Sequence, residues 1–409
     1  MASAGKRVLM LLENNPYSQD IRAKREARAL ARAGYQVTVI CPRPKKGRSF
    51  EVVEPNIHLY QYPPPGGGGG VLSYLWEYGY SALMMFVLSL RVARREGFDV
   101  IHAHNPPDTL WPLAALYKLF GKRFIFDHHD LSPEMFFARF GNKSSQLLFN
   151  TLVLFEKLTC RLACHVIATN ESYQKIEMER GGVPPERITI VRNGPDERFS
   201  LVAEAPEIRE KATTILGYVG IIGPQDGLDY LLRSLHHLVY TLQQNDIFCV
   251  IIGKGDAVPQ LKEYARQLKL EKHVWFTGWV SDEDLLRYLS TADICLDPDP
   301  SNPFNDRCTM IKMMEYMALG KPIVAYDLSE HRVSAGDAAL YAQPNDELAF
   351  ARRIVELIHN PEQRRQMGQI GRSRIEARLA WSHQEKHLLA AYDTLTAAPD
   401  RAARTASAR

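Results

Sequence analysis

Two short segments of the chain hold residue types that could move protons, and a third could hold an anion. Ile101-His-Ala-His-Asn-Pro-Pro-Asp108 places His102 and His104 at alternate positions of an extended run, so both face one side. Phe126-Asp-His-His-Asp-Leu-Ser-Pro-Glu134 ends a second run in the same way, with Asp127, His129 and Asp130 at its end. A histidine–carboxylate pair such as His129 with Asp130 can orient a hydroxyl or accept its proton near neutral pH. In the third segment, Phe304 to Thr309 leads into a helical pattern from Thr309 to Leu319. A helix start offers free backbone N–H groups and the positive end of the macrodipole, a natural seat for a diphosphate. Lys312 falls in the first turn, where a cation opposes the dipole; the placement makes sense if an anion binds there. Glu315 follows three residues later on the same face. The plainer alternative is a surface ion pair between the two, worth little.

Metal chemistry is a rival for the histidines. His102, His104, His128 and His129 could be drawn together around zinc, but nothing else has ligand spacing, and no metal is expected. Asp297-Pro-Asp299 imitates a D-x-D metal motif; after a strand and around a proline, a capped turn is the expected reading.

These segments need a scaffold. Val8 to Leu12 is a continuous apolar run, as in a parallel strand covered on both faces, and Ile21 to Ala33 follows as a helix stopped by Gly34. Further strands are expected at Val37–Cys41, Asp99–Ala103, Arg123–Asp127 and Cys164–Ala168, with helices at about Thr109–Leu119 and Gln146–Ala163. The second half repeats this grammar with strands at Thr214–Val219, Phe248–Ile252, Val274–Thr277, Ile294–Leu296 and Pro322–Ala325. Helices are expected between them at Leu228–Leu242, Val258–Leu268, Asp282–Ser290 and Thr309–Leu319. Strand–helix alternation implies α/β architecture: two Rossmann-like doubly wound parallel-sheet domains facing a cleft, with ligands at the carboxyl ends of the strands. The charged, aperiodic stretch Pro195–Lys211 marks the boundary. The expected division is 1–200 for an acceptor-binding domain and 201–380 for a donor-binding domain. Residues 381–396 form a helix that crosses back to the first domain, and 397–409 a disordered tail. Three prolines and five glycines over 63–70 read as a mobile surface loop.

Composition agrees with this size. The chain has 409 residues, 45% hydrophobic and 24% charged, more than one ordinary core can use. A formal charge of +3 argues against a dedicated nucleic-acid partner. Six scattered cysteines with no C-x-x-C pair suit a reducing cytoplasm. Residues 7–12 read as a strand rather than a signal core, and Ala82–Leu90 is far short of the ~20 residues that span a bilayer.

An ordered series of motifs narrows the function. Val250-Ile-Ile-Gly-Lys-Gly255, Val274-Trp-Phe-Thr-Gly-Trp-Val280, Ser290-Thr-Ala-Asp-Ile294 and Lys312-Met-Met-Glu-Tyr-Met-Ala-Leu-Gly-Lys-Pro-Ile-Val324 together resemble the donor domain of the retaining glycosyltransferases of family four, which have the GT-B fold. Ile190-Val-Arg-Asn-Gly194, Leu216-Gly-Tyr-Val-Gly220, Asp20-Ile-Arg-Ala-Lys-Arg-Glu26 and Phe126 to Glu134 extend the resemblance over nearly the whole chain. It implies transfer of a sugar, with retention, from a nucleotide diphosphate sugar (UDP-linked by resemblance) to a glycan or lipid-linked acceptor, without a cofactor or metal. By the same resemblance Glu315 accepts from the ribose hydroxyls, and Gly278, Trp279 and Val280 edge the nucleobase. Gly223, Gly253 and Thr309 line the donor, and His104 lies beside the transferred sugar. Asn105, Asp108 and Glu134 fall on the acceptor side. His104, His129, Asp130 and Lys312 are the expected catalytic groups. The sequence departs from the family where Arg307 replaces the first of two glutamates, and where Ile221 and Asp226 stand in place of a cationic pair. Arg307 and Lys312 then become the cations for the departing diphosphate, and Asn305 and Asp306 bind the donor sugar.

Leu72 to Arg94 carries Tyr74, Leu75, Trp76, Tyr78, Met84, Met85, Phe86 and Leu88, then Arg91, Arg94 and Arg95; Ile21 to Arg32 adds Arg22, Lys24, Arg25, Arg28 and Arg32. Such a basic and aromatic surface suits peripheral contact with a membrane carrying the acceptor, against the alternative of core helices with solvated charges. Rival functions are a nucleotide-sugar epimerase of the same fold and a catalytically silent nucleotide-sugar-binding partner.

Overall fold

The computed structural model describes residues 7–66, 71–140, 145–195 and 198–397. The five-glycine part of the expected loop beyond Gly66 and the tail from residue 398 lie outside them. Among the described residues two compact units are present, one within 7–136, 145–192 and 384–397, the other within 137–140 and 193–383.

The first unit is an eight-stranded sheet made of β1 (Arg7–Leu11), β2 (Gln36–Pro42), β3 (Phe50–Glu54), β4 (Ile57–Tyr62), β5 (Val100–His104), β6 (Arg123–His128), β7 (His165–Ala168) and β8 (Ile188–Ile190). Its order is β3-β4-β2-β1-β5-β6-β7-β8, parallel except where β3 pairs antiparallel with β4. Continuous apolar runs make the central strands because helices cover both faces, and β5 is buried at every position. β3 was not expected: Phe50-Glu-Val-Val-Glu54 is exposed along most of its length, an edge blunted by two glutamates.

The second unit holds six parallel strands: β9 (Thr214–Val219), β10 (Ile247–Ile252), β11 (Val274–Gly278), β12 (Ile294–Asp297), β13 (Ile323–Tyr326) and β14 (Ala339–Ala342). They run in the order β11-β10-β9-β12-β13-β14. Both units are Rossmann-like. Two helices differ from expectation. Leu228–His236 continues as a single π turn through Thr241, and the helix expected from Thr309 begins at Ile311. The cysteines are free thiols.

The helix Ile21–Arg32 starts on Asp20, whose side chain accepts from the Ala23 N–H, and it turns Arg22 and Glu26 inward beside Ala23, Ala27 and Leu30. That corrects the reading of a basic surface helix. Arg22 is buried on carboxylates, Arg28 pairs with Glu54 and Arg32 with Glu385. The helix Val71–Arg95 is different: Met85 and Val92 are buried, while Trp76, Leu83 and Val87 are exposed ahead of Arg94 and Arg95. Side chains of Tyr74 and Leu75 lie outside the described residues. Among the described residues no helix is long and apolar enough to cross a membrane.

Candidate active site

In the second unit the loops after β9, β10, β11 and β12 leave the same carboxyl edge of the sheet. Asn305 ties two of them together. Its buried side-chain amide donates to the carbonyls of Gln225 (3.1 Å) and Pro300 (2.9 Å), so this residue braces the loops rather than presenting itself. Asp306 accepts from Ser301 through Oδ2 (3.2 Å), while its buried Oδ1 has no hydrogen-bond partner. Asp226 Oδ2 accepts from the Gly223 N–H at 2.7 Å, which shapes the loop after β9. Gly253 has φ 138°, and a Cβ there would stand 1.9 Å from the Gly220 carbonyl oxygen. Its glycine is needed for the packing of one loop on another.

Gly278 sits at φ 75° with open space where a side chain would be, and it turns the chain into Trp279. Trp279 is 72% exposed, with the Lys254 ammonium 4.7 Å from its ring centroid. Val280 packs inward against the core below.

The helix Ile311–Ala318 opens on Met310 with no side-chain cap, leaving its first amides to other acceptors. Arg307 donates to the Pro303 carbonyl at 2.5 Å, and Thr309 Oγ1 to Glu330 at 3.4 Å. Lys312 is not the open clamp its sequence position suggested. Its Nζ donates to Asp299 (2.6 Å) and Asp297 (3.2 Å), and it stands 5.1 Å from the Tyr218 ring centroid. The Asp297-Pro-Asp299 segment is therefore neither a capped turn nor a bare metal motif: both carboxylates are buried and grip the ammonium. Burial disfavours the Lys312 charge, but Asp297 and Asp299 hold its pKa well above the usual lysine range. Burial and then the Asp297 charge push Asp299 well up, and Lys312 keeps Asp297 below the ordinary range against the effect of burial. His331 donates through Nδ1 to the Tyr326 carbonyl (2.9 Å), which leaves Nε2 facing Asp297 at 3.6 Å. Glu315 lies half-buried on the same helix.

In the first unit the carboxyl ends of β5 and β6 meet over the helix Ile21–Arg32. Arg22 holds Asp127 with a fork of two 2.7 Å hydrogen bonds and donates a third to the Val191 carbonyl at 3.0 Å. His104 Nδ1 stands 2.9 Å and His129 Nδ1 3.5 Å from Asp127 Oδ2. His102 stacks on His104 with centroids 4.5 Å apart and shares a 2.7 Å hydrogen bond with the Tyr392 hydroxyl. Glu26 is fully buried, with Oε2 3.5 Å from His102 and 3.8 Å from His104. Burial and the Asp127 charge push its carboxyl well up.

His129 thus meets Asp127, not the adjacent Asp130 that the sequence suggested. Asp130 is held through its backbone: the Asn105 side chain accepts from the amides of His129 (2.8 Å) and Asp130 (3.1 Å) and donates to the Asp130 carbonyl and to Asp108. Asn105 and Asp108 are struts between the two loops. Glu134 takes a fork from Arg180 at 2.6 and 3.2 Å, so it is bound within the protein. The four-histidine zinc set does not form either. His128, on the other face of β6, lies between Glu177 (3.1 Å) and Glu156 (3.7 Å). Among the described residues the ligand-type groups that do converge are Glu26, His102, His104 and Asp127, and Asp297, Asp299 and His331. Each contains a built-in cation, Arg22 or Lys312. Sequence reasoning passed over Arg22 and Glu26; their i, i+4 spacing on the alanine face of an amphipathic helix was the available signal.

The comparisons follow the same division. The sequence profile of Glycosyl transferases group 1 matches residues 203–374, and that of Glycosyltransferase Family 4 matches residues 21–199. An MMP alpha-(1->4)-mannosyltransferase of Mycolicibacterium hassiacum is 23% identical, over 92% of this chain and 94% of its own length. An uncharacterized glycosyltransferase of Methanocaldococcus jannaschii is 21% identical over 88% and 90%. Sucrose-phosphate synthase from Thermosynechococcus elongatus superposes with a TM-score of 0.78 at 18% identity, covering 96% of this chain and all of its own. Anabaena HepE in complex with UDP and glucose does so at 0.72 and 16%, again covering 96% and 100%.

Proposed function

Because the chain belongs to glycosyltransferase family 4 and has the GT-B type of fold, we propose that it transfers a sugar, with retention of configuration, from a UDP-sugar to a glycan or lipid-linked acceptor in surface-polysaccharide or glycolipid synthesis. The observation that carries this reading is the uncapped start of Ile311–Ala318 at the carboxyl edge of the second sheet, beside loops that glycine lets pack closely on one another. In this reading those amides and Arg307 face the diphosphate, Glu315 holds the ribose, and Trp279 with Lys254 offers a face for the base. Lys312, neutralised by two carboxylates, supports the helix start from beneath. The leaving nucleotide departs through an oxocarbenium-like state and the acceptor attacks the same face, so catalysis is chiefly leaving-group stabilisation and positioning. No resident metal enters it. The imidazoles of His104 and His129 serve the acceptor, and the exposed Trp76–Leu83–Val87 stripe with its terminal arginines suits an interfacial location.

The direct experiment is a panel of nucleotide sugars scored for release of free nucleotide with and without lipid and glycan acceptors. Acceptor-dependent UDP release supports the reading, and binding without release under every combination removes it. Two variants refine it. Arg307→Ala is expected to lower turnover by about 10–100-fold, the worth of a charge-assisted hydrogen bond to phosphate. Trp279→Ala is expected to weaken UDP binding by about tenfold by calorimetry, with unfolding unchanged because the ring is exposed.

A further inference from the structure

Four buried polar atoms crowd one place in the first unit without hydrogen-bond partners, both oxygens of Glu26 and the Nε2 atoms of His102 and His104, while the Nδ1 atoms of His104 and His129 stand 2.9 and 3.5 Å from Asp127 Oδ2. A divalent cation is one way to satisfy such a set. Arg22 argues against it, because its guanidinium already forks onto Asp127 and stands 3.1 Å from Glu26 Oε1. The cation of this cluster is a side chain, and its effect falls on the two imidazoles that share Asp127.

We propose that Asp127, clamped by Arg22, is the positioning residue of the acceptor-side imidazoles: it keeps the proton of His104 and His129 on Nδ1, so that His129 presents a bare Nε2 to the acceptor hydroxyl. The inference rests on the acceptor role given above to these histidines. Its geometry stands on the carboxylate. An ionised carboxylate is an acceptor only, and an imidazole lone pair cannot rest 2.9 Å from it without repulsion; that nitrogen carries hydrogen. Asp127 is ionised because two guanidinium hydrogen bonds and its buried setting leave Arg22 as its partner: burial would raise its pKa, and Arg22, followed by His104 and His129, holds it well below the ordinary range. The clamp also fixes the carboxylate plane, since Nε and Nη2 of Arg22 take one oxygen each. Of the two rings, His129 is the one with access, at 17% side-chain exposure against 3% for His104. The groups facing His129 are Asp127 on β6, Asp130 in the loop beyond it, Arg22 from the helix and His104 on β5 at a 5.9 Å ring separation. Burial lowers the His129 pKa, but the Asp127 hydrogen bond and charge outweigh it, and the net shift is upward.

Nitrogen-15 NMR of histidine-labelled full-length protein reads the tautomers directly, with His104→Gln and His129→Gln used for assignment. The expected spectrum shows both rings as the neutral tautomer with hydrogen on Nδ1 in alkaline buffer. In Asp127→Asn the His129 signal should redistribute toward the Nε2-protonated form, and its titration midpoint should move down. An Nε2-protonated His129 in the wild-type protein would overturn the proposal without any variant, as would shifts typical of metal-ligated imidazole at His104. If Asp127→Asn does not fold, Arg22→Lys keeps the charge but loses the fork, and an unchanged His129 spectrum there would count against the clamp. The NMR result needs neither donor nor acceptor, so correct tautomers in a protein that releases no UDP would sink the transferase reading and leave this one standing.

Discussion

Lys312→Ala is expected to cost about 3–5 kcal/mol of stability in the second unit, and to remove nucleotide binding with it. The reason is the company Lys312 keeps. Asp297 is fully buried and Asp299 1% exposed, and Lys312, whose side chain is 10% exposed, supplies the cation that both contact. Removing it leaves carboxylates in a dry setting, with Asp297 Oδ2 and Asp299 Oδ1 already without hydrogen-bond partners. Protonation of the pair limits the loss at low pH, so the defect should shrink as the buffer is acidified. A second substitution separates charge from volume: adding Asp299→Asn to Lys312→Met should recover a large part of the loss, because the uncompensated charge is reduced. Urea unfolding followed by the fluorescence of Trp275 and Trp381 in the second unit would show it. Equal midpoints for wild type and Lys312→Ala would mean that the ammonium carries no structural charge balance. This expectation changes how a donor-binding test must be read, since lost affinity in Lys312→Ala reports folding first.

The same residue shows what the sequence could and could not convey. The strands β1, β2, β5, β6, β7, β9, β10, β12 and β13 were legible because each is an apolar run covered on both faces, and the half-exposed edge β11 because Val274-Trp-Phe-Thr is β-branched and aromatic. The strands β3, β4, β8 and β14 were not. β3 and β8 are edges with weak burial, and Ile57-His-Leu-Tyr-Gln-Tyr62 and Ala339-Leu-Tyr-Ala342 mix polar or small residues into buried positions. At the site, position was legible and partnership was not. Lys312 was placed correctly in the first turn of its helix, but its partners lie 13 and 15 residues earlier on another element, where pattern reading found a turn. Asp130 was paired with His129 by its resemblance to a D-x-H-E pattern, and a sequence pattern does not say which carboxylate the ring touches. On an extended strand the residue two before His129 shares its face, whereas the residue after it has already entered the loop. Arg22 was counted with a basic surface and Glu26 was named only as the end of the Asp20–Glu26 motif, although a helix that buries Ala23, Ala27 and Leu30 carries positions 22 and 26 inward with them.

His128 gives the first unit a second expected result, a loss of stability as pH rises from about 6.5 to 9. The ring is fully buried in β6, with Nδ1 3.1 Å from Glu177 and Nε2 3.7 Å from Glu156. Arg180 joins the network with 2.6 Å contacts to Glu134 and Glu156. Burial would lower the His128 pKa, but the Glu177 hydrogen bond and the charges of Glu156 and Glu177 outweigh it and raise the value to about 9. A group whose pKa is higher folded than unfolded binds its proton more tightly in the native state. Its stabilisation is complete below the unfolded value near 6.5 and is lost as pH climbs through about 9. At about 1.4 kcal/mol per pH unit over that window, the loss is about 3 kcal/mol. The upward shifts of Glu156 and Glu177, both from burial first, act in the same direction at lower pH and do not cancel it. Hydrogen exchange of the β6 and β7 amides, corrected for intrinsic rate, isolates the opening of this sheet. Wild-type protection should fall across the window, and His128→Gln should be less stable at pH 6.5 with a clearly shallower fall from there to 9, the remainder coming from the upward-shifted His129. A variant that kept the full wild-type slope would show that another group titrates, and that the imidazolium does not hold Glu156 and Glu177 together.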